Sequence, residues 1–172
     1  MKSNFERCLE LVLKSEGGYV DHPKDPGGRT NLGVTQAVWE EWVGHLVSEK
    51  DMKALTPDRV SPMYEMKYWR TSYCEKLPVG VSLLVFSMAV NSGSGRAVKL
   101  LQRTIGCVED GVIGRITMGK INELSPADLV DRYSATRVKF YEDLKLFPVF
   151  GKGWLARTER ERLEALEMLR NS

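Results

Sequence analysis

Glu16 is the residue in this sequence best placed to do chemistry. It closes an amphipathic segment, residues 3–16, and is followed at once by Gly17, Gly18 and the aromatic Tyr19. Carbonyl groups exposed at a helix C-terminus carry partial negative charge, so a carboxylate there is disfavoured and its pKa rises. Lysine or arginine is the stabilising choice at such a position. A carboxyl group that holds its proton near neutral pH is what general acid catalysis needs. The paired glycines leave room for a polymer to approach. The loop beyond them supplies Asp21, Asp25, Thr30, Asn31 and Thr35 as hydrogen-bonding groups. The plainer reading is a solvated helix-end glutamate followed by a glycine-rich turn, and residue chemistry alone leaves both readings open.

Other chemistries find less support. His22 and His45 are the two histidines, far apart and with no His/Cys/Asp cluster at ligand spacing, so neither a zinc site nor a nucleophile–histidine device is expected. No glycine run has the phosphate-loop or dinucleotide pattern, and no cofactor is expected. Lys plus Arg total 25 against 23 Asp plus Glu, so the net charge of +2 does not point to nucleic acid. Cys8, Cys74 and Cys107 make an odd count in a chain long enough to build its own core, so structural disulfides are not expected. The N-terminus MKSNFERCLE has Glu6 and Glu10 where an export signal would be apolar, so the expectation is a chain that stays in the cytoplasm after synthesis.

The elements that must position Glu16 are mostly helical. With 172 residues, 42% hydrophobic and 28% charged, the chain is one globular domain or two small lobes. Ser3 is a candidate N-cap for a helix whose face is Phe5, Cys8, Leu9, Val12 and Leu13. The following loop has room for a short hairpin around Leu32 and Val34, and Thr35 caps the next helix. Thr56-Pro57 and Ser61-Pro62 each read as a cap with proline at the first helical position. The second of these starts a helix carrying Tyr64, Tyr68 and Trp69. The apolar stretch 81–90 reads as a central helix buried on all sides, too short to span a membrane. Asn91 to Gly95 ends it and caps a helix with Ala97, Leu100, Leu101 and Ile105. Residues 109–117 form a turn with Thr117 as cap, Ser125-Pro126 starts another helix, and the tail from Trp154 presents Leu155, Leu163, Leu166 and Leu169 as a face to be buried.

The run EGGYVDHPKDPGGRTNLGVT, Glu16 to Thr35, resembles the signature of glycoside hydrolase family 108, the N-acetylmuramidase-type lysozymes of phages and bacteria. Glu-Gly-Gly-Tyr, Asp-Pro-Gly-Gly, Thr-Asn and Gly-Val-Thr follow one another in the family's order. AVNSGSGRAVKLLQ (Ala89 to Gln102) and DGVIGRIT (Asp110 to Thr117) resemble the peptidoglycan-associated C-terminal half found with this family. Relatives often carry an acid shortly before the Ala-Val-Asn, where this chain has Ser87. If that acid assists catalysis in them, this chain works without it.

The resemblance implies a mainly α, lysozyme-like α+β fold, with a catalytic part at 1–90 and a helical peptidoglycan-associated part at 91–172 in one compact unit. It implies a phage endolysin that hydrolyses the β-1,4 bond between N-acetylmuramic acid and N-acetylglucosamine. Glu16 is then the proton donor, and Asp25 the leading candidate for the group that stabilises the oxocarbenium-like charge or activates water. Asp25 is equally explained as a cap of the Pro-Gly-Gly turn, and Asp21 is the next candidate. Tyr19 and Trp69 are candidates to stack on sugar faces, and Thr30, Asn31 and Thr35 to hold sugar hydroxyls or water. Asn91 either faces the cleft or caps the central helix. The implied partners are peptidoglycan and a separate holin-like membrane permeabiliser, with the protein itself a monomer. A noncatalytic peptidoglycan-binding or virion structural protein with the same fold is the alternative.

Overall fold

The computed structural model describes residues 2–23 and 28–172. The chain divides into two compact units, Met1–Met66 and Lys67–Ser172.

In the first unit, α1 (Asn4–Glu16) begins with a reciprocal cap. Ser3 Oγ accepts from the Glu6 N–H and the Glu6 carboxylate accepts from the Ser3 N–H. Its buried stripe, Cys8, Leu9, Val12 and Leu13, has the three-and-four spacing of one helical face. The helix stops at Gly17, whose φ of 77° suits glycine. Strands β1 (Thr30–Asn31) and β2 (Val34–Thr35) then form an antiparallel hairpin, with Thr30 opposite Thr35 and Asn31 opposite Val34. Three short helices follow: α2 (Gln36–Val43), α3 (Glu49–Lys53) and α4 (Pro57–Tyr64). They are capped by the hydroxyls of Thr35, Ser48 and Thr56. The new helix start expected at Ser61-Pro62 does not occur. Pro62 lies inside α4, where its missing N–H costs one hydrogen bond, and the helix runs on into a π-helical turn, Glu65–Trp69.

The second unit is built on α5 (Val81–Ser92), in which every residue from Val81 to Ala89 is buried. Its partners are α6 (Ser94–Thr104), α8 (Pro126–Glu142) and α9 (Phe147–Arg170). The short α7 (Arg115–Asn122) lies between α6 and α8 in the chain. A helix with no polar face needs neighbours on all sides, and α5 finds these three downstream. The division between the two units lies at 66/67, ahead of all these helices.

Two further expectations change. The tail helix begins at Phe147, and its buried seam is Gly151, Thr158, Glu161, Ala165 and Met168. Leu163 is 52% exposed, and Leu155, Leu166 and Leu169 are half-buried. Small residues admit a close approach: a Cβ on Gly80, at the start of α5, would fall 2.7 Å from the Ala165 carbonyl oxygen. Thr117 is likewise not a cap. Helix α7 starts two residues earlier, behind Gly114, and the Thr117 hydroxyl accepts from Gln102 Nε2 at 3.3 Å. That buried amide also donates to Asp110 (2.7 Å) and to the Val112 carbonyl (3.0 Å), while its oxygen accepts from the Gly111 N–H (2.8 Å). The Asp-Gly-Val-Ile-Gly turn is thus folded around one glutamine, and its Asp110 side chain and backbone groups satisfy that buried amide.

The core of the second unit holds an ion pair. Arg137, fully buried, donates to Glu161 at 2.7 Å, and the Ser87 hydroxyl donates to the other Glu161 oxygen at 2.6 Å. Burial alone pulls the Arg137 guanidinium down, but the adjacent Glu161 carboxylate reverses this and holds it above its ordinary value.

Candidate active site

Glu16 occupies the last position of α1, half-buried, and the hairpin lies against it. The two residues joining β1 to β2, Leu32 and Gly33, both have positive φ, 51° and 74°. That is the pattern of a two-residue hairpin turn matched to strand twist. A leucine in the left-handed region costs roughly 1–2 kcal/mol, so something must hold it there. The Tyr64 hydroxyl, from α4, donates to the Leu32 carbonyl at 2.8 Å. Gly33 is pressed into the same place: a Cβ there would meet Tyr64 Oη at 2.7 Å and Glu16 Cβ and Cγ at 2.9 Å. The stem of Glu16 is therefore clamped between its own helix and the hairpin turn. Restricting the stem narrows where the carboxyl group can lie, which directed proton transfer requires.

The loop leaving Glu16 is closed at its base by a two-bond bridge between Val20 and Thr30, each at 2.8 Å. Asp25 belongs to this loop and lies outside the described residues. Asp21 is exposed and 3.4 Å from Arg29 Nε. Arg29 also reaches Glu49 at 4.0 Å, and Glu49 meets Lys53 at 2.7 Å. The Lys53 ammonium, with a smaller contribution from Arg29, holds the Glu49 carboxyl below its ordinary range. Lys53 lies 5.1 Å from the centre of the Tyr19 ring, so one face of that ring is covered by a cation.

The other candidates divide between the units. Thr30 uses its backbone on Val20, and its hydroxyl makes no hydrogen bond among the described residues. The Asn31 amide is buried and donates to the Met52 carbonyl at 2.9 Å, tying the hairpin to α3. Thr35 Oγ accepts from the Val38 N–H as the cap of α2. Glu16, Tyr19, Thr30, Asn31 and Thr35 are thus gathered in the first unit. Trp69 and Asn91 belong to the second. Trp69 is 5% exposed and meets Phe86 edge-on, with ring centres 5.4 Å apart. Asn91 donates to the Ser87 carbonyl at 2.8 Å and accepts from Arg157 at 3.0 Å. Among the described residues no three His, Cys, Asp or Glu side chains form a metal cluster.

Sequence reasoning missed the roles of Gly33 and Tyr64. The signal for Gly33 was present: Leu-Gly between Thr-Asn and Val-Thr is a two-residue loop with glycine where φ is positive. Nothing local marks Tyr64, because its partner lies 32 residues away.

The glycosyl hydrolase 108 family model matches residues 9–93, a span that includes α1 from Leu9 onward, the loop, the hairpin and the whole of α5. No curated protein sequence matches the chain. Among solved structures, SagA of Brucella abortus is 39% identical, with a TM-score of 0.85 over 98% of this chain and 97% of that one. Agreement at that level extends the likeness through both units of a mostly helical, lysozyme-like α+β fold. The chain belongs to the glycosyl hydrolase 108 family.

Proposed function

We propose that this chain is an N-acetylmuramidase that cuts the β-1,4 bond between N-acetylmuramic acid and N-acetylglucosamine in peptidoglycan. The stem of Glu16 packed against the Leu32–Gly33 turn, which Tyr64 holds through the Leu32 carbonyl, inside the span that matches the family, is the observation that carries this reading. Glu16 delivers its proton to the glycosidic oxygen, and the departing sugar leaves the other ring with oxocarbenium character. Asp25, in the loop closed by the Val20–Thr30 bridge, is proposed as the group that stabilises this charge or activates water. Asp21 is less suited, since Arg29 already engages it. The Thr30 hydroxyl is proposed to orient the water or a sugar hydroxyl. The role we assign is that of a phage endolysin, made in the host cytoplasm and reaching the wall through a separate membrane permeabiliser. Its test is expression in a host cell with and without a pore-forming partner: lysis should occur only with the partner.

Glu16→Gln keeps the size and hydrogen bonding of the side chain and removes its proton. Reducing-sugar release from purified wall should fall about 10²- to 10⁴-fold with unchanged melting. A variant that retains half the rate overturns the assignment. An unmodified protein that released no sugar at all would instead be a noncatalytic wall-binding protein. Mass spectrometry of the digest names the bond cleaved.

A further inference from the structure

The second unit contains a pocket of about 560 Å³ that the hydrolytic mechanism does not use. It is bounded by Asn91 at the end of α5, by Tyr141, Lys145 and Leu146 at and beyond the end of α8, and by Trp154 and Arg157 on α9. Its charged lining consists of Lys145 and Arg157, and no acid lines it. Lys145 is exposed and has no ion pair among the described residues. Arg157 donates through Nη1 to Asn91 at 3.0 Å, while its Nε is buried with no hydrogen-bond partner among the described residues. Glu161, one turn further along α9, does not neutralise it, because Arg137 and Ser87 occupy both Glu161 oxygens.

The wall of the pocket is aromatic. Tyr141 and Trp154 meet with ring centres 5.4 Å apart, and Phe150 extends the wall toward solvent at 5.9 Å from Trp154. Two unneutralised cations beside an apolar wall select an anion that carries an apolar body. An arginine turned by an asparagine and left with an unsatisfied donor favours a planar acceptor, and a carboxylate is the planar anion that matches its fork.

We propose that this pocket is a noncatalytic subsite for a carboxylate-bearing peptide segment, and that the ligand is the acidic stem peptide of the wall. This rests on the muramidase reading for the identity of the polymer. The carboxylate pairs with Arg157 and Lys145, and the alanyl methyl groups lie against Trp154 and Tyr141. An anionic membrane is the rival occupant, since Leu146, Val149 and Phe150 are all more than half exposed. The exposed acids Glu142 and Asp143 precede Leu146 closely in the chain and disfavour an anionic bilayer there, whereas neither lines the pocket in which a carboxylate would sit.

The test uses the full chain carrying Glu16→Gln, so that turnover does not interfere. The probe is N-acetylmuramoyl-L-alanyl-D-isoglutamine, compared with the same compound amidated at its free carboxylate. Calorimetry gives the affinity, and the Trp154 indole N–H resonance gives the location. Binding of the free acid should shift that resonance, amidation should weaken binding about tenfold or more, and Lys145→Gln should weaken it by a similar factor with unchanged melting. Arg157→Lys, which keeps the charge and loses the fork, should also weaken it. Equal affinity for acid and amide, no effect of Lys145→Gln, or an unshifted Trp154 resonance overturns the proposal. Lys145-dependent binding to phosphatidylglycerol vesicles without binding of the peptide assigns the surface to a membrane instead. Sugar release by the unmodified chain is read separately, so its absence defeats the muramidase reading, while hydrolysis without probe binding defeats only this subsite.

Discussion

Gly33→Ala tests whether the hairpin turn positions Glu16. The substitution adds one methyl group at φ 74°, where an L-residue costs roughly 1–2 kcal/mol relative to glycine. The new Cβ lies 2.7 Å from Tyr64 Oη and 2.9 Å from Glu16 Cβ and Cγ, so the neighbours must move. Overpacking of this kind costs about 1–3 kcal/mol. The sum, about 2–5 kcal/mol, is less than the stability of a typical domain, so the variant should fold with a melting temperature lowered by roughly 5–15 °C. The larger effect should be on turnover, because a shift of the Glu16 carboxyl by about 1 Å costs on the order of 10²-fold in rate. Adding Tyr64→Phe removes the closest contact but leaves the Leu32 carbonyl without its donor. The double variant should therefore be less destabilised than the sum of the two single changes. Wall hydrolysis by reducing-sugar release and thermal melting are the assays. A Gly33→Ala protein with native melting and native turnover would show that the turn does not hold Glu16 and that this reasoning is wrong.

Arg137→Met leaves the buried Glu161 carboxylate with only Ser87 as partner and should cost about 3–5 kcal/mol in denaturant unfolding; replacing Arg137 and Glu161 together by apolar residues should recover much of it. Asp25→Asn should lower turnover while melting stays unchanged if Asp25 acts on the substrate, and a lower melting temperature with full turnover would reduce it to a turn cap. The carboxyls of Glu6, Glu40, Asp51 and Asp110 are each held below their ordinary values, by Ser3, Val47, Ser48 and Gln102 respectively. Depressed carboxylates contribute stability above their unfolded values of 4.5 and 3.8 and lose it as pH falls through the folded ones. The melting temperature should accordingly stay flat from about pH 8 to about pH 5 and drop below that; a decline already under way between pH 7 and pH 5 would point to other groups.

Local chemistry was legible wherever one short stretch decides the outcome. Ser3, Thr35, Thr56 and Ser125 cap the helices their positions announce, because a cap is a contact between residues three apart. The hairpin around Leu32 and Val34 and the all-round burial of 81–89 follow from turn composition and from the lack of any polar face. The placing of Glu16 at the end of α1, before Gly17, was equally visible in the sequence.

Tertiary structure decided the rest, wherever a side chain's partner is remote. Leucines looked like the buried face of α9, yet the buried residues are Gly151, Thr158, Glu161, Ala165 and Met168, and at Ala165 the start of α5 packs too closely for a larger residue at Gly80. Glu161 reads as one more surface charge in an Arg/Glu-rich tail until Arg137 and Ser87, from two other helices, enclose it. The acceptor of the Asn31 amide, the Met52 carbonyl, lies on another element and is not marked near Asn31 in the sequence. A glutamate beside two glycines is chemically ambiguous in the sequence. What separates a packed acid from a solvated helix end is the contact of Gly33 with its stem, in a turn that Tyr64 holds at Leu32, and no local pattern encodes a contact that the chain must fold to make.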